Sequence, residues 1–232
     1  MGSKKKQGSN FRASIPPDMC RLLAVMSLRP LAISPHLAQL ARISRDSREY
    51  QGHGWGCAWI EDGRWRVYRN IRPIWEDSID RFGQTHFLLA HARSAFRNED
   101  IVVENNMPFI DGPHAFVFNG ELHGVRIKEE GRIGAEKLFR FIRRFDDGDM
   151  LAALKKSVAI VQKRSSYVRA ANIVIGDGKK LYLHSSYKED PEYFTMYMKR
   201  TADEVLICSE RYDPEAQGWS PIRDGEFMEV SI

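Results

Sequence analysis

The 232-residue sequence holds only three cysteines, Cys20, Cys57 and Cys208, and none stands in a CxxC or other metal-ligand spacing. An odd count with no secretory signal ahead of it predicts free thiols in a reducing compartment, the cytoplasm by default. No apolar run approaches the roughly 18 residues that a membrane-spanning helix needs. The longest candidate, 71–90, is broken by Arg72, Glu76, Asp77, Asp80 and Arg81, so no membrane segment is expected. The seven histidines show neither HExxH nor paired spacing, and no glycine-rich phosphate loop occurs. Neither a metal site nor a cofactor is therefore expected. Strong charge of one sign is missing as well. Of the net +4, residues 1–18 supply +3 through Lys4, Lys5, Lys6 and Arg12 against Asp18, which leaves +1 on everything after them. A nearly neutral body argues against a nucleic-acid partner, and three lysines in a short leader carry little information.

What is present is an ordinary globular composition, 43% hydrophobic and 28% charged, on a chain long enough to bury a substantial core. Residues 1–18 are rich in Lys, Gly, Ser and Pro and show no period, which predicts a disordered leader, a propeptide or an added segment, closed by Pro16-Pro17. One domain is expected over 19–232. The apolar run 20–26 predicts a buried strand, and 35–45 places Leu37, Leu40, Ala41 and Ser44 at helical spacing. Segments 54–60 and 64–69 flank Asp62-Gly63, a hairpin signal, and Asp177-Gly178 makes a second between 171–175 and 181–185. A helix is predicted over 74–82, strands over 85–92 and 115–118 (the latter ending in Asn119-Gly120), and amphipathic helices over 134–145 and 149–163. Strands follow at 193–199, 205–209 and 227–232. Cys57 and Cys208 fall in apolar strand patterns and read as core residues. This order lacks the β-α alternation of a doubly wound fold and predicts an α+β protein, two sheets with helices packed outside.

Four segments then carry a resemblance: Met19-Cys20-Arg21-Leu22-Leu23, Gly54-Trp55-Gly56, His91-Ala92-Arg93 and Phe118-Asn119-Gly120-Glu121. In that order the sequence resembles the class II glutamine amidotransferases, in particular their short, single-domain, stand-alone subgroup, and the likeness spans nearly the whole chain after residue 18. It implies the four-layer αββα sandwich of the N-terminal nucleophile hydrolases, two mainly antiparallel sheets with helices outside. It also implies that Cys20 is the nucleophile once everything ahead of it is removed. A thiol attacking a carboxamide needs a base, and the free α-amine of the same residue, with an ordinary pKa of about 7.7–8.0, can serve.

The same resemblance gives Asn119 and Gly120 to the oxyanion, as a side-chain amide and a backbone N–H, although Asn-Gly alone more often marks a turn. Phe118 stands where the family has His. Arg93 is expected to hold a substrate carboxylate, because its planar fork matches one in bidentate fashion. Trp55 and Gly56 are expected near the pocket, with Trp55 equally readable as a core aromatic; the family's Asp ahead of this segment is His53 here, and Gln51 stands near its upstream His. His91 reads as a structural hydrogen-bonding residue. The sequence departs from the family at 132–136, where Gly134 occupies the place of the Asp that binds the substrate α-ammonium. Glu136 or another acid then compensates, or the substrate is not free glutamine.

The expected activity is hydrolysis of a γ-carboxamide through a Cys20 thioester, releasing ammonia or an amine. Two alternatives stay open: a γ-glutamyl-amide or peptide amidohydrolase, and a catalytically silent binding protein on the same fold. The partners implied are glutamine or a γ-glutamyl small molecule and, for an amidotransferase, a separate synthase subunit that accepts ammonia; a homo-oligomer is left open.

Overall fold

The computed structural model describes residues 19–95 and 99–232; the expectation of a disordered leader at 1–18 lies outside the described residues. Strand β1 (Arg21–Ala32) leads into helix α1 (Ile33–Arg45), followed by β2 (Trp55–Glu61), β3 (Arg64–Asn70) and β4 (Gln84–Ala92). Then come β5 (Phe109–Asp111), β6 (His114–His123), α2 (Gly134–Arg143), α3 (Met150–Arg164), β7 (Tyr167–Gly176) and β8 (Leu181–Ser185). The chain ends with α4 (Pro191–Phe194), β9 (Tyr197–Arg200), β10 (Glu204–Cys208), β11 (Trp219–Pro221) and β12 (Glu226–Val230). The strands form a seven-stranded sheet, β11-β9-β10-β1-β4-β2-β3, and a five-stranded sheet, β12-β8-β7-β6-β5, with every pairing antiparallel.

Alternation along the central strands builds the layers. In β1, Leu22, Ala24 and Met26 join Phe87 and Leu89 of β4 and Phe116 of β6 in one core cluster, whereas Leu23 and Val25 join Leu37 and Leu40 of α1 in another. A period of two sends successive side chains to opposite faces, so one sheet packs on its partner and on α1 at once. Helices α2 and α3 contribute Leu138, Phe139, Leu154 and Val158 to the larger cluster and cover the outer face of the five-stranded sheet. The result is the expected αββα sandwich. Among the described residues no helix is long and apolar enough to cross a membrane.

Local chemistry explains the elements. Asp62 and Gly63 turn β2 into β3 with φ of 51° and 71°, the two left-handed positions of a type I′ hairpin turn. Asp149 caps α3 by accepting a hydrogen bond from the Ala152 N–H at 2.9 Å, which satisfies one of the orphan donors at the helix start. Strand β1 runs on to Ala32 past Pro30 because its register with β4 breaks between Met26 and Leu31, the kind of irregularity that tolerates a residue without an N–H.

The helix expected over 74–82 is replaced by two 3-10 turns, Ile74–Glu76 and Ile79–Arg81. Asp77 separates them, its carboxylate accepting from the Ser78 N–H, Trp55 Nε1, Tyr68 OH and Asn70 Nδ2 at 2.8–3.0 Å; side-chain bonds of this kind compete with the helical ladder. The strand expected to stop at Phe118 continues to His123, so Asn119 and Gly120 lie inside β6, paired with Asn172 and Ala171 of β7. Residues 193–199, expected as one strand, divide between α4 and β9.

Candidate active site

Cys20 sits immediately before β1, where the two sheets meet, and it is half-buried. The seven-stranded sheet fixes it from below. The Leu22 N–H donates to Ser209 Oγ at 2.9 Å, the Ser209 N–H returns to the Leu22 carbonyl at 3.1 Å, and Arg21 pairs with Glu210 at 3.4 Å. The chain just after β10 therefore locks the first residues of β1 in place.

From the other sheet comes Asn119. The Cys20 backbone N donates to Asn119 Oδ1 at 3.0 Å, across 99 residues of sequence. Asn119 is fully buried, and among the described residues its Nδ2 has no hydrogen-bond partner. A buried amide N–H left unmatched is costly, so this donor is poised for a group that arrives. Asn119 is held from two sides. Behind it stands Asn172, its register partner, which donates from Nδ2 to the Phe194 carbonyl at 2.7 Å and accepts from Ser185 Oγ at 3.0 Å. Beside it His91, fully buried on β4, donates from Nε2 to the Phe118 carbonyl at 3.1 Å and so ties one sheet to the other. Burial pushes the His91 pKa down to about 3, so the ring is neutral at working pH and the carbonyl dictates which nitrogen carries the proton. Gly120 follows Asn119, where a Cβ would lie 2.2 Å from the Ala170 carbonyl oxygen. No side chain fits there, and the Gly120 backbone borders the cavity in front of Cys20 directly.

The Cys20 thiol also meets the chain that follows β4. The Ser94 N–H donates to Sγ at 3.4 Å, and the thiol faces the Ser94 carbonyl at 3.6 Å. Arg93, one residue earlier, is buried to 6% exposure, and desolvation lowers its pKa while the neighbouring Cys20 opposes that shift. Its backbone bonds to both ends of the His53-Gly54 segment, with Arg93 N–H to the Gly54 carbonyl at 2.8 Å and His53 N–H to the Arg93 carbonyl at 3.1 Å. Gly54 adopts φ 109°, and a Cβ there would lie 2.2 Å from Asn106 Nδ2.

A cavity of about 640 Å³ opens in front of these groups, lined among others by Cys20, Arg93, Phe118, Gly120 and Gly134. Its volume falls within the 300–1,000 Å³ of sites for drug-sized ligands. Three expected substrate residues stand apart from it. Trp55 is fully buried on the opposite face of β2, packed against Tyr68 and Phe82 in the core under α1, because adjacent strand residues face opposite ways. Gly56 is not among the cavity-lining residues, and a Cβ there would lie 2.5 Å from the Met107 carbonyl oxygen. Glu136 turns away: its carboxylate accepts from Arg132 Nε and Nη2, both at 3.0 Å, and from the Arg132 N–H at 2.7 Å, with Arg140 at 3.4 Å. These donors bring its pKa down to about 2, so the carboxylate stays ionised and is already paired with Arg132 and Arg140.

Other residues belong to the site that the sequence reading did not single out. The Met19 carbonyl, on the bond that joins it to Cys20, accepts from Gln51 Nε2 and from Tyr193 OH, the latter at 3.2 Å. Met19 itself is buried against Ala170, Tyr193 and Phe194. The signal for Gln51 was its place near a family His; for Tyr193, 174 residues from Met19, no local pattern existed.

No protein-family model matches the chain. Over 92% of its length it is 26% identical to the gamma-glutamyl-hercynylcysteine sulfoxide hydrolase of Mycobacterium tuberculosis, covering 93% of that protein. Among solved structures, a glutamine aminotransferase class-II domain protein from Silicibacter pomeroyi superposes with a TM-score of 0.63 at 16% identity, over 91% of this chain and 95% of that one. A predicted glutamine amidotransferase from Pseudomonas aeruginosa gives 0.59 at 17% identity, over 91% and 97%. The glutamine phosphoribosylpyrophosphate amidotransferase of B. subtilis gives 0.65 at 15%, over 91% of this chain but 47% of that longer one. The chain therefore has the αββα fold of the N-terminal nucleophile hydrolases, the fold it shares with these solved structures.

Proposed function

We propose that the domain 19–232 hydrolyses a γ-carboxamide through a thioester on Cys20. The observation that carries this reading is the Asn119 side chain, which accepts from the Cys20 nitrogen with its oxygen and, among the described residues, keeps a buried N–H without a partner on the same amide. Once the Met19–Cys20 peptide bond is gone, that nitrogen is an α-amine and takes the thiol proton. The thiolate attacks the carboxamide carbon, and the oxyanion forms against Asn119 Nδ2 and the Gly120 N–H. The ammonium then protonates the departing nitrogen as the C–N bond breaks, and ammonia or an amine leaves. Water, deprotonated by the same amine, cleaves the thioester and restores the thiol. Arg93 at the cavity wall holds the substrate's α-carboxylate.

The relatives' names support this chemistry, being amidotransferases and a γ-glutamyl hydrolase. The test is mass spectrometry of protein beginning at Cys20 after exposure to a diazoketone analogue of glutamine. One adduct on Cys20, absent in Cys20→Ala, is expected; an unlabelled Cys20 overturns the reading. A second reading, cleavage of a γ-glutamyl amide rather than free glutamine, is favoured by a cavity larger than one amino acid and by the missing acid at Gly134. Amine release outpacing ammonia release from glutamine supports it, and the reverse rejects it. A synthase that takes up the ammonia and a homo-oligomer are both compatible with this site. The low cysteine content, three in 232 residues with no paired spacing, supports a reducing compartment, the cytoplasm.

A further inference from the structure

A glutamyl substrate carries an α-carboxylate and an α-ammonium on one carbon, so the groups that bind them must sit side by side. Arg93 supplies the first. At Gly134, where the second would be bound by family resemblance, no side chain exists, and a Cβ there would meet nothing within 4 Å. Glu136 is held by Arg132 and Arg140. The remaining carboxylates around the cavity are Glu99, Asp100 and Glu121. Glu121 is engaged on both oxygens, with His123 Nε2 at 2.6 Å and Arg169 Nη1 at 3.3 Å.

Asp100 is placed differently. Its backbone carbonyl accepts from Arg93 Nη1 at 2.9 Å, from Asn105 Nδ2 at 3.0 Å and from the Val102 N–H at 2.9 Å. The guanidinium is thus bonded to the residue that bears the carboxylate. Its φ of 54° is left-handed, a conformation uncommon for any residue with a side chain though less so for Asp. Three donors on one carbonyl hold that conformation, and with it the direction in which the side chain leaves the backbone at the cavity edge.

Resting on the γ-glutamyl reading above, we infer that the Asp100 carboxylate binds the substrate's α-ammonium, with Arg93 and Asp100 together forming the clamp for the amino-acid end. The clamp selects compounds with a free α-amine over their des-amino and N-acylated counterparts, because an arriving ammonium completes a charged pair and a methylene in its place leaves the carboxylate unmatched.

The experiment compares kcat/KM of protein beginning at Cys20 on L-γ-glutamyl anilide and on glutaryl anilide, which lacks only the α-amine. Wild type is expected to prefer the first about tenfold to a hundredfold, the worth of one hydrogen bond to a charged group. Asp100→Asn should erase most of that preference through KM on the glutamyl compound, leave glutaryl anilide within about twofold and be partly rescued in Asp100→Glu. Equal losses on both anilides, no loss on either, or loss of discrimination in Glu99→Gln or Glu121→Gln instead would overturn the assignment. Trapping of Cys20 by the diazoketone separates the two failures. If Cys20 is labelled and Asp100→Asn keeps the preference, only the clamp falls; if Cys20 is not labelled and neither anilide is cleaved, the thioester reading falls and takes the clamp with it.

Discussion

The three thiols all belong to the seven-stranded sheet or its margin, yet their surroundings separate them. Cys57 on β2 and Cys208 on β10 are fully buried on the face covered by α1. Desolvation pushes both up, Cys208 to about 11, so each remains a protonated, inert core group. Cys20 lies just before the start of β1, against Asn119 from within β6 of the other sheet. Its nitrogen and sulfur meet Asn119 and Ser94, and a cavity opens in front of it. Residue type is the same in all three; what differs is whether the strand face or the strand end is presented. Burial on a face makes a cysteine a small hydrophobe, whereas the strand end offers donors and access.

The sharpest way to break this comparison is to remove Cys20. Cys20→Ala is expected to abolish turnover while leaving the unfolding midpoint in urea nearly unchanged, because Cys20 is only partly buried and lies outside the core clusters. Residual turnover in the variant, measured as amine release, would assign the chemistry elsewhere. Next comes the group that makes Cys20 different. Asn119→Ala should lower kcat by about 10²–10³, the usual loss for one oxyanion donor, with a smaller change in KM. A kcat within twofold of wild type would remove Asn119 from the mechanism.

Much of that contrast was legible in the sequence, and the reasons are specific. The two core faces of β1 follow from an apolar run in which alternate residues face opposite ways, and the Asp-Gly pairs announced both hairpins. The buried character of Cys57 and Cys208 followed from the same strand patterns. Trp55 was harder. The resemblance put it near the pocket while its residue type read equally as core, and strand register puts its side chain on the far side of the sheet. Gln51 offered only its place near a family His and Tyr193 no pattern at all, since both meet the Met19 carbonyl through tertiary structure. The helix expected at 74–82 was lost to Asp77, whose five donors (Arg81 is the fifth, at 3.3 Å) come from residues 55–81. Periodicity reports faces; it does not report which side chain will divert the backbone.

A smaller effect is expected at Arg93, a charged group at the cavity wall near Cys20. Arg93→Lys should raise KM about tenfold for substrates with a free α-carboxylate and leave kcat largely intact, because a point charge replaces a two-pronged donor. Substrate amides lacking that carboxylate should lose their disadvantage in the variant. An unchanged KM ratio between the two substrate types would place the carboxylate elsewhere in the cavity.

The least costly changes are expected at the inert thiols, and they test the other half of the comparison. Cys57 is enclosed by apolar neighbours, so a hydroxyl in its place loses water and gains no comparable partner. Cys57→Ser should therefore lower stability by about 1–3 kcal/mol, whereas Cys57→Ala, which removes the sulfur without adding a polar atom, should cost about 1 kcal/mol. Both are read as urea midpoints, and both should retain wild-type kcat/KM, since this face of the sheet points away from the cavity. Serine tolerated better than alanine would mean that the site is polar and that the sheet face, as well as the strand end, offers a cysteine hydrogen-bonding partners.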